Sequence, residues 1–325
     1  IFRKIVDTTG AKSGCGSMGR RGPNSFGRES DPTAYCFFTQ IRLLPARSVA
    51  IVDSSCIEDP IRRDVGKRLD AIEAAHDVTV LYACESGSRA WGFASADSDY
   101  DVRFVYAHPR DWYLSIDLER RDDTLDPPIE DEIDLHGWDL RKALGLFRTS
   151  NPSLLEWLQS PIVYREDDAV MAQWRDLLPE YYTPRAAGYH YLHMAQGNYR
   201  SSLKDQDRVC VKTYFYVLRP LLAVRWMEQE RGPVPMEFAR LVDAGVDDPD
   251  LRTAIDDLVA RKRAGTERDE GPRVPTIHSF IEDELARLAD TRFADDHRPR
   301  PVAPLNALFR DVLAHLGTQP SRASP

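Results

Sequence analysis

The chain has 325 residues, 42% of them hydrophobic, and a formal net charge of −9. That length supplies one large domain or two ordinary ones with a sizeable core, and no apolar run approaches the roughly 20 residues needed to cross a bilayer. Residues 1–56 hold 8 Lys and Arg against 4 Asp and Glu, so the remainder carries −13, a balance unfavourable to broad, non-specific binding of nucleic acid, which needs many cationic phosphate contacts.

Residues 1–56 are rich in Gly, Ser and Arg without periodicity, and the first methionine is Met18. The segment reads either as a disordered N-terminal extension or as residues outside the native protein. Order is expected from near Asp59, because Ile61, Val65, Leu69 and Ile72 recur at helical spacing and Pro60 suits a first turn. Val78–Ala83 is β-branched and apolar and predicts a buried strand. Tyr100–Tyr106 and Glu132–Trp138 predict two more, while residues 111–116 fit a strand or a short helix. Residues 120–132 form a charged, Pro-containing connection. Helices are expected over 139–148 and 153–158, then a short strand over 161–164. From about residue 166 the pattern is mostly helical, with Arg185–Leu203 and Val209–Gln229 the strongest segments, and 236–244, 250–263, 277–288 and 305–316 beyond them.

The chemistry concentrates after the first strand, which stops at Glu85-Ser86-Gly87-Ser88. Arg89-Ala90-Trp91-Gly92 then looks like one or two helical turns. Free N–H groups at a helix start suit phosphate, Gly87 lets the backbone approach closely, and the Ser88 hydroxyl adds a donor. Asp99 and Asp101 follow with alternating spacing, which places both carboxylates on one strand face, with Tyr100, Val102 and Phe104 on the other. Paired carboxylates repel each other and suit hard divalent cations. A third acid is expected on a neighbouring strand, and Asp134 fits because Ile133 and Leu135 flank it. Its rival, Asp139, opens a helical segment and reads more simply as an N-cap. Cys15, Cys36, Cys56, Cys84 and Cys210 are scattered, which points to reduced thiols and a cytoplasmic protein. His190 and His193 share a helix face with no further ligand cluster, so no zinc site is expected.

Glu85-Ser86-Gly87-Ser88-Arg89-Ala90-Trp91-Gly92-Phe93, with Asp97-Ser98-Asp99-Tyr100-Asp101-Val102-Arg103-Phe104, resembles the RNA ligase-associated nucleotidyltransferase family of the DNA polymerase beta-like superfamily. Gly137–Leu144, Asn151–Trp157 and Tyr214–Leu222 extend the resemblance, which spans roughly residues 57–320. It implies an α+β chain, with a polymerase beta-like mixed sheet and flanking helices followed by a mostly helical C-terminal domain. The expected divisions are a catalytic domain over 57–165, a helical domain closing the nucleotide cleft over 166–316, and a disordered tail over 317–325. It also implies two Mg²⁺ ions, with Mn²⁺ as the alternative, on Asp99, Asp101 and Asp134, and a nucleoside triphosphate substrate, with ATP favoured.

A cation from the helical half should meet the triphosphate. Lys212, one turn before Tyr216, is the first candidate; Lys204 and Arg89 follow. The nucleotide-binding set is therefore Gly87, Ser88, Arg89, Lys212 and Tyr216. The expected reaction moves an NMP from an NTP to a hydroxyl and releases pyrophosphate. Three acceptors stay open: an RNA or tRNA end, a protein hydroxyl (AMPylating-type transfer), and a small molecule. A catalytically silent nucleotide-binding regulator is the non-enzyme alternative.

Overall fold

A computed structural model describes residues 57–265, 269–294 and 298–318. The readings made for residues 1–56 lie outside them. Helix α1 (Asp59–His76) buries Val65, Leu69 and Ile72, the stripe read from the sequence, and stops at Asp77 in a left-handed conformation. Strand β1 (Thr79–Ser86) is buried along nearly its whole length. It runs into α2 (Gly87–Trp91), and a connection leads to β2 (Tyr100–Ala107). Residues 110–113 form the short helix α3 (Arg110–Tyr113), which settles the strand-or-helix ambiguity there.

Two-residue strand β3 (Thr124–Leu125) lies inside the charged connection and pairs with β4 (Ile133–Asp139), a pairing too short for alternation to reveal. Helix α4 (Leu140–Arg148) is capped by Asp139, whose side chain accepts from the Arg141 N–H. Helix α5 (Pro152–Trp157), strand β5 (Val163–Glu166), and helices α6 (Asp168–Asp176) and α7 (Leu178–Tyr181) follow. The sheet order is β3-β4-β2-β1-β5. β2 and β4 run parallel, and the other neighbours are antiparallel, so the sheet is mixed.

The rest is mostly helical, as expected: α8 (Pro184–Ser202), α9 (Val211–Glu228), α10 (Phe238–Gly245), α11 (Pro249–Ala264), α12 (Pro275–Arg287) and α13 (Val302–Thr318). Strands β6 (Arg208–Cys210) and β7 (Glu270–Pro272) make a small second sheet. Pro220 lies inside α9 without ending it. Helix α13 continues through Gly317 and Thr318, past the expected start of the tail.

Three apolar cores organise these elements. One sheet face packs Val102, Phe104 and Tyr106 against α1. The opposite face, with Val105 and Ala107, packs against α4, α5 and α6, and α13 covers α4 and α6 in the same core. Thus α6 packs on the sheet and α13 on α4 and α6, although both lie beyond the expected division at residue 166. The third core gathers α8 to α12 and includes Ala90, Trp91 and Phe93. Phe93 stacks on Phe215 with ring centroids 4.1 Å apart. The turn after β1 is therefore anchored in the helical core, which joins the two halves at the candidate site. No helix of the described residues is long and apolar enough to cross a membrane.

Candidate active site

The parallel pairing of β2 and β4 sets Asp101 directly beside Asp134, residue to residue. Asp139 falls opposite Tyr106, at the other end of the pairing. It is buried as the α4 cap and accepts from the Tyr113 hydroxyl at 2.6 Å. Of the two rival acids, Asp134 is thus the one beside Asp101. Asp99 lies ahead of β2 and is exposed, so it is not the strand residue that alternation suggested. Gly87 has φ +64°, and a Cβ there would stand 2.0 Å from Asp101 Oδ2. Only glycine meets both demands, the left-handed backbone and the close approach. The Gly-Ser turn and the carboxylate therefore form one unit.

Arg103, two residues along the same strand face, is buried beneath the pair. Its Nη2 donates to Asp101 Oδ1 at 2.9 Å and to Asp134 Oδ2 at 3.1 Å. Its Nη1 donates to the carbonyls of Val102 and Asp134 at 3.1 and 2.9 Å. One guanidinium thus receives two carboxylates at a single edge. Burial raises the Asp101 pKa, and the charges of Arg103 and Lys212 pull it down.

Behind Asp101 sits Glu85, with no exposed surface. One carboxyl oxygen accepts from the Asp101 backbone N–H at 2.8 Å, and the other from the Tyr164 hydroxyl at 2.5 Å. Burial pushes its pKa up to about 8; the Tyr164 hydrogen bond opposes that rise, and the Asp101 charge adds to it.

The helical half meets this site along α9. Lys212, Tyr216 and Arg219 are spaced at four and three residues, so they share a helix face. The Lys212 charge is felt at Asp101, and its Nζ lies 5.9 Å from the Tyr216 ring centroid. Tyr216 meets Trp91 edge-on at 5.9 Å, and the Arg219 guanidinium lies 4.8 Å from the Trp91 ring. Arg219 is buried and paired with Glu156 at 2.8 Å. Arg89 donates to the Ser98 carbonyl at 2.6 Å and stacks 3.8 Å from the Tyr100 ring centroid. That engagement ties α2 to the loop before β2. Ser88 is buried, and its carbonyl accepts from the Gly92 and Phe93 amides.

Among the described residues, no group of three or more His, Cys, Asp or Glu side chains is arranged to hold a metal ion. The convergent pair, Asp101 and Asp134, fits a hard divalent cation in its donor chemistry, and the guanidinium between them marks where their charges meet. Asp99 is not drawn into a group with them. Sequence reasoning missed Arg103, Glu85 and Arg219. For Arg103 a signal existed: strand alternation puts it on the face of Asp101, as a built-in counter-ion.

Residues 61–311 match the RNA repair pathway DNA polymerase beta family. The chain is 48% identical over 222 residues to the uncharacterized protein YcgL of Bacillus subtilis (strain 168), covering 68% of this chain and 84% of that one. A solved structure of a nucleotidyltransferase-like protein from Exiguobacterium sibiricum aligns over 82% of this chain and 96% of that chain, at 11% identity and a TM-score of 0.28. That alignment is too loose to bear on the site.

Proposed function

The chain belongs to the RNA repair pathway DNA polymerase beta family and is a nucleotidyltransferase; from that premise we propose that it uses a divalent metal to move an NMP from an NTP to a hydroxyl. ATP is the favoured donor, and the family's description favours an RNA 3′ hydroxyl as acceptor. The observation that carries the reading is the Asp101–Asp134 pair, set side by side on parallel strands against the Gly87 turn.

Asp101 and Asp134 would hold the metal, with Asp99 completing the set from the loop. Bound there, divalent cations would neutralise the triphosphate and make the acceptor hydroxyl more acidic. Gly87 and Ser88 would bring backbone and hydroxyl donors to the phosphates. Lys212, whose charge already acts on Asp101, would meet the β- and γ-phosphates as a point charge. Tyr216 would wall the nucleotide side of the cleft, with the buried Trp91 packed edge-on against it. The acceptor oxygen forms a bond to the α-phosphorus as the α–β bridge breaks. The electron pair leaves with pyrophosphate, and the acceptor's proton passes to Asp134 or to solvent. Glu85 and Arg103 would hold Asp101 and Asp134 in place, so that little reorganisation is needed during transfer.

The test is metal-dependent pyrophosphate release from labelled NTPs mixed with RNA, protein and small-molecule fractions. Asp101→Asn and Asp134→Ala should each abolish turnover while the fold survives, whereas Asp139→Ala should retain turnover and lose stability through its cap. Normal turnover in Asp101→Asn would refute the metal-site assignment. Label recovered in protein or in a small molecule would move the acceptor to that class.

A further inference from the structure

Helix α11 buries Leu251, Ile255, Leu258 and Lys262. Their spacing of four, three and four residues is that of one apolar stripe, and Lys262 is its charged member. Lys262 has no exposed surface. A buried ammonium is costly unless it is paired and hydrogen-bonded, so packing alone does not account for a lysine here.

Its amino group points into the connection between α2 and β2. Nζ donates to Ser95 Oγ at 2.7 Å and to Ser98 Oγ at 3.3 Å. The two serines are themselves locked together: Ser95 N–H donates to Ser98 Oγ at 3.0 Å, and the hydroxyls lie 3.0 Å apart. The neighbouring Arg263 donates to the Gly92 carbonyl at 2.7 Å. The last turn of α11 therefore fastens both ends of the segment from Gly92 to Ser98. Arg89 takes the Ser98 carbonyl from the other side and stacks on Tyr100. The residue after Ser98 is Asp99, and Asp101 follows two residues later.

We propose that Lys262 is a positioning residue for nucleotidyl transfer: by holding Ser95 and Ser98 from the helical half, it fixes where Asp99 and the start of β2 stand. Its catalytic consequence rests on the assignment of Asp99 and Asp101 as metal carboxylates; its hold on the loop does not. Lys262 touches neither substrate nor metal. Its loss should therefore appear in the chemical step rather than in nucleotide affinity.

The experiment compares full-length wild type with Lys262→Met and with the double variant Ser95→Ala/Ser98→Ala, which removes the same contacts without altering α11. Readouts are melting temperature, amide hydrogen exchange, and kcat and KM for NTP with Mg²⁺. Lys262→Met should melt below the wild-type temperature, because the buried Ser95 and Ser98 hydroxyls lose their shared donor. Amides over 93–101 should exchange at least tenfold faster in both variants, with those of β1 unchanged. A displacement on the order of an ångström costs up to about a hundredfold in rate, so kcat should fall ten- to hundredfold with KM within twofold. Combining the substitutions should cost no more than either set alone, because they break one network.

Unchanged exchange over 93–101 in the serine variant would overturn the proposal, as would faster exchange with an unaltered kcat, or a raised KM with kcat intact. If Lys262→Met does not fold, the serine variant decides by the same criteria. If wild type releases no pyrophosphate from any NTP, the transferase reading fails, and the exchange comparison alone decides whether Lys262 holds the loop.

Discussion

Glu85→Gln isolates the effect of burying a carboxyl behind Asp101. Burial raises the Glu85 pKa from its ordinary value of 4.5 to about 8. Between those values the folded protein keeps a proton that the unfolded chain has lost, so stability falls as pH rises. A shift of that size corresponds to about 5 kcal/mol at the limit, and about 3.5 kcal/mol of it accrues between roughly pH 5 and pH 8. Glutamine keeps the oxygen that accepts from the Asp101 amide, and its own amide has a partner in the Tyr164 hydroxyl, but it has no proton to lose. Urea unfolding of wild type and Glu85→Gln in EDTA, in steps from pH 5 to pH 9, should show the variant gaining on wild type by about 4 kcal/mol across that range. The difference between the two proteins is the diagnostic, because every other titrating group is shared. A gap independent of pH would mean that Glu85 ionises near its ordinary value, and would refute the reasoning. Glu85→Ala, which leaves the Asp101 amide without this acceptor, should lose activity that Glu85→Gln retains.

Arg103→Met should destabilise the metal-free protein by about 3–5 kcal/mol, because it leaves two adjacent carboxylates without their shared partner. Mg²⁺ should then raise the melting temperature of the variant more than that of wild type; equal Mg²⁺ shifts would place the cation elsewhere. Lys212→Ala should raise KM for NTP about tenfold or more with little change in metal dependence, since a phosphate contact to a charged group contributes about 1.5–3 kcal/mol. Titrations with NTP and NMP check this: affinity for NMP should change less, and unchanged NTP affinity would return Lys212 to a surface role and make Lys204 or Arg89 the next candidate.

What was legible in the sequence followed from short-range periodicity. The stripe Val65-Leu69-Ile72, the alternation of Val102 and Phe104, and the apolar flanks of Asp134 each report a face, and the structure buries those faces. Asp139 was readable as a cap because its helix starts immediately after it. The strand start at Tyr100 is legible, but alternation carried one residue past it puts Asp99 on the Asp101 face, whereas Asp99 stands exposed before β2. Glu85 was read as part of the turn because it precedes Gly87, yet β1 runs on to Ser86 and carries Glu85 inside. Lys262 lies between Arg261 and Arg263, a local pattern indistinguishable from a solvated helix end. Its partner Ser98 is 164 residues away in the chain, and no local spacing encodes that contact. The same is true of α6 and α13, whose amphipathic patterns show an apolar face but not which core receives it.

Charge connects these parts of the site. Asp101 and Asp134 face Arg103, and the charges of Lys212 and Asp99 reach Asp101 as well, so the acids are partly, not fully, compensated before any substrate arrives. A divalent cation entering alone would meet a pair already partly neutralised by the guanidinium, while a triphosphate entering alone would face the carboxylates. Arriving together, they compensate each other, and Arg103 and Lys212 would then act on separate charges, one on the acids and one on the phosphates. On this argument wild type should bind Mg²⁺ weakly without nucleotide, and Arg103→Met should bind it more tightly. Repeating the Arg103→Met comparison with and without NTP tests the point directly: if Arg103 screens the acids, NTP should increase the Mg²⁺ affinity of wild type more than that of the variant, and an equal increase in both would show that the guanidinium does not govern access to the carboxylates.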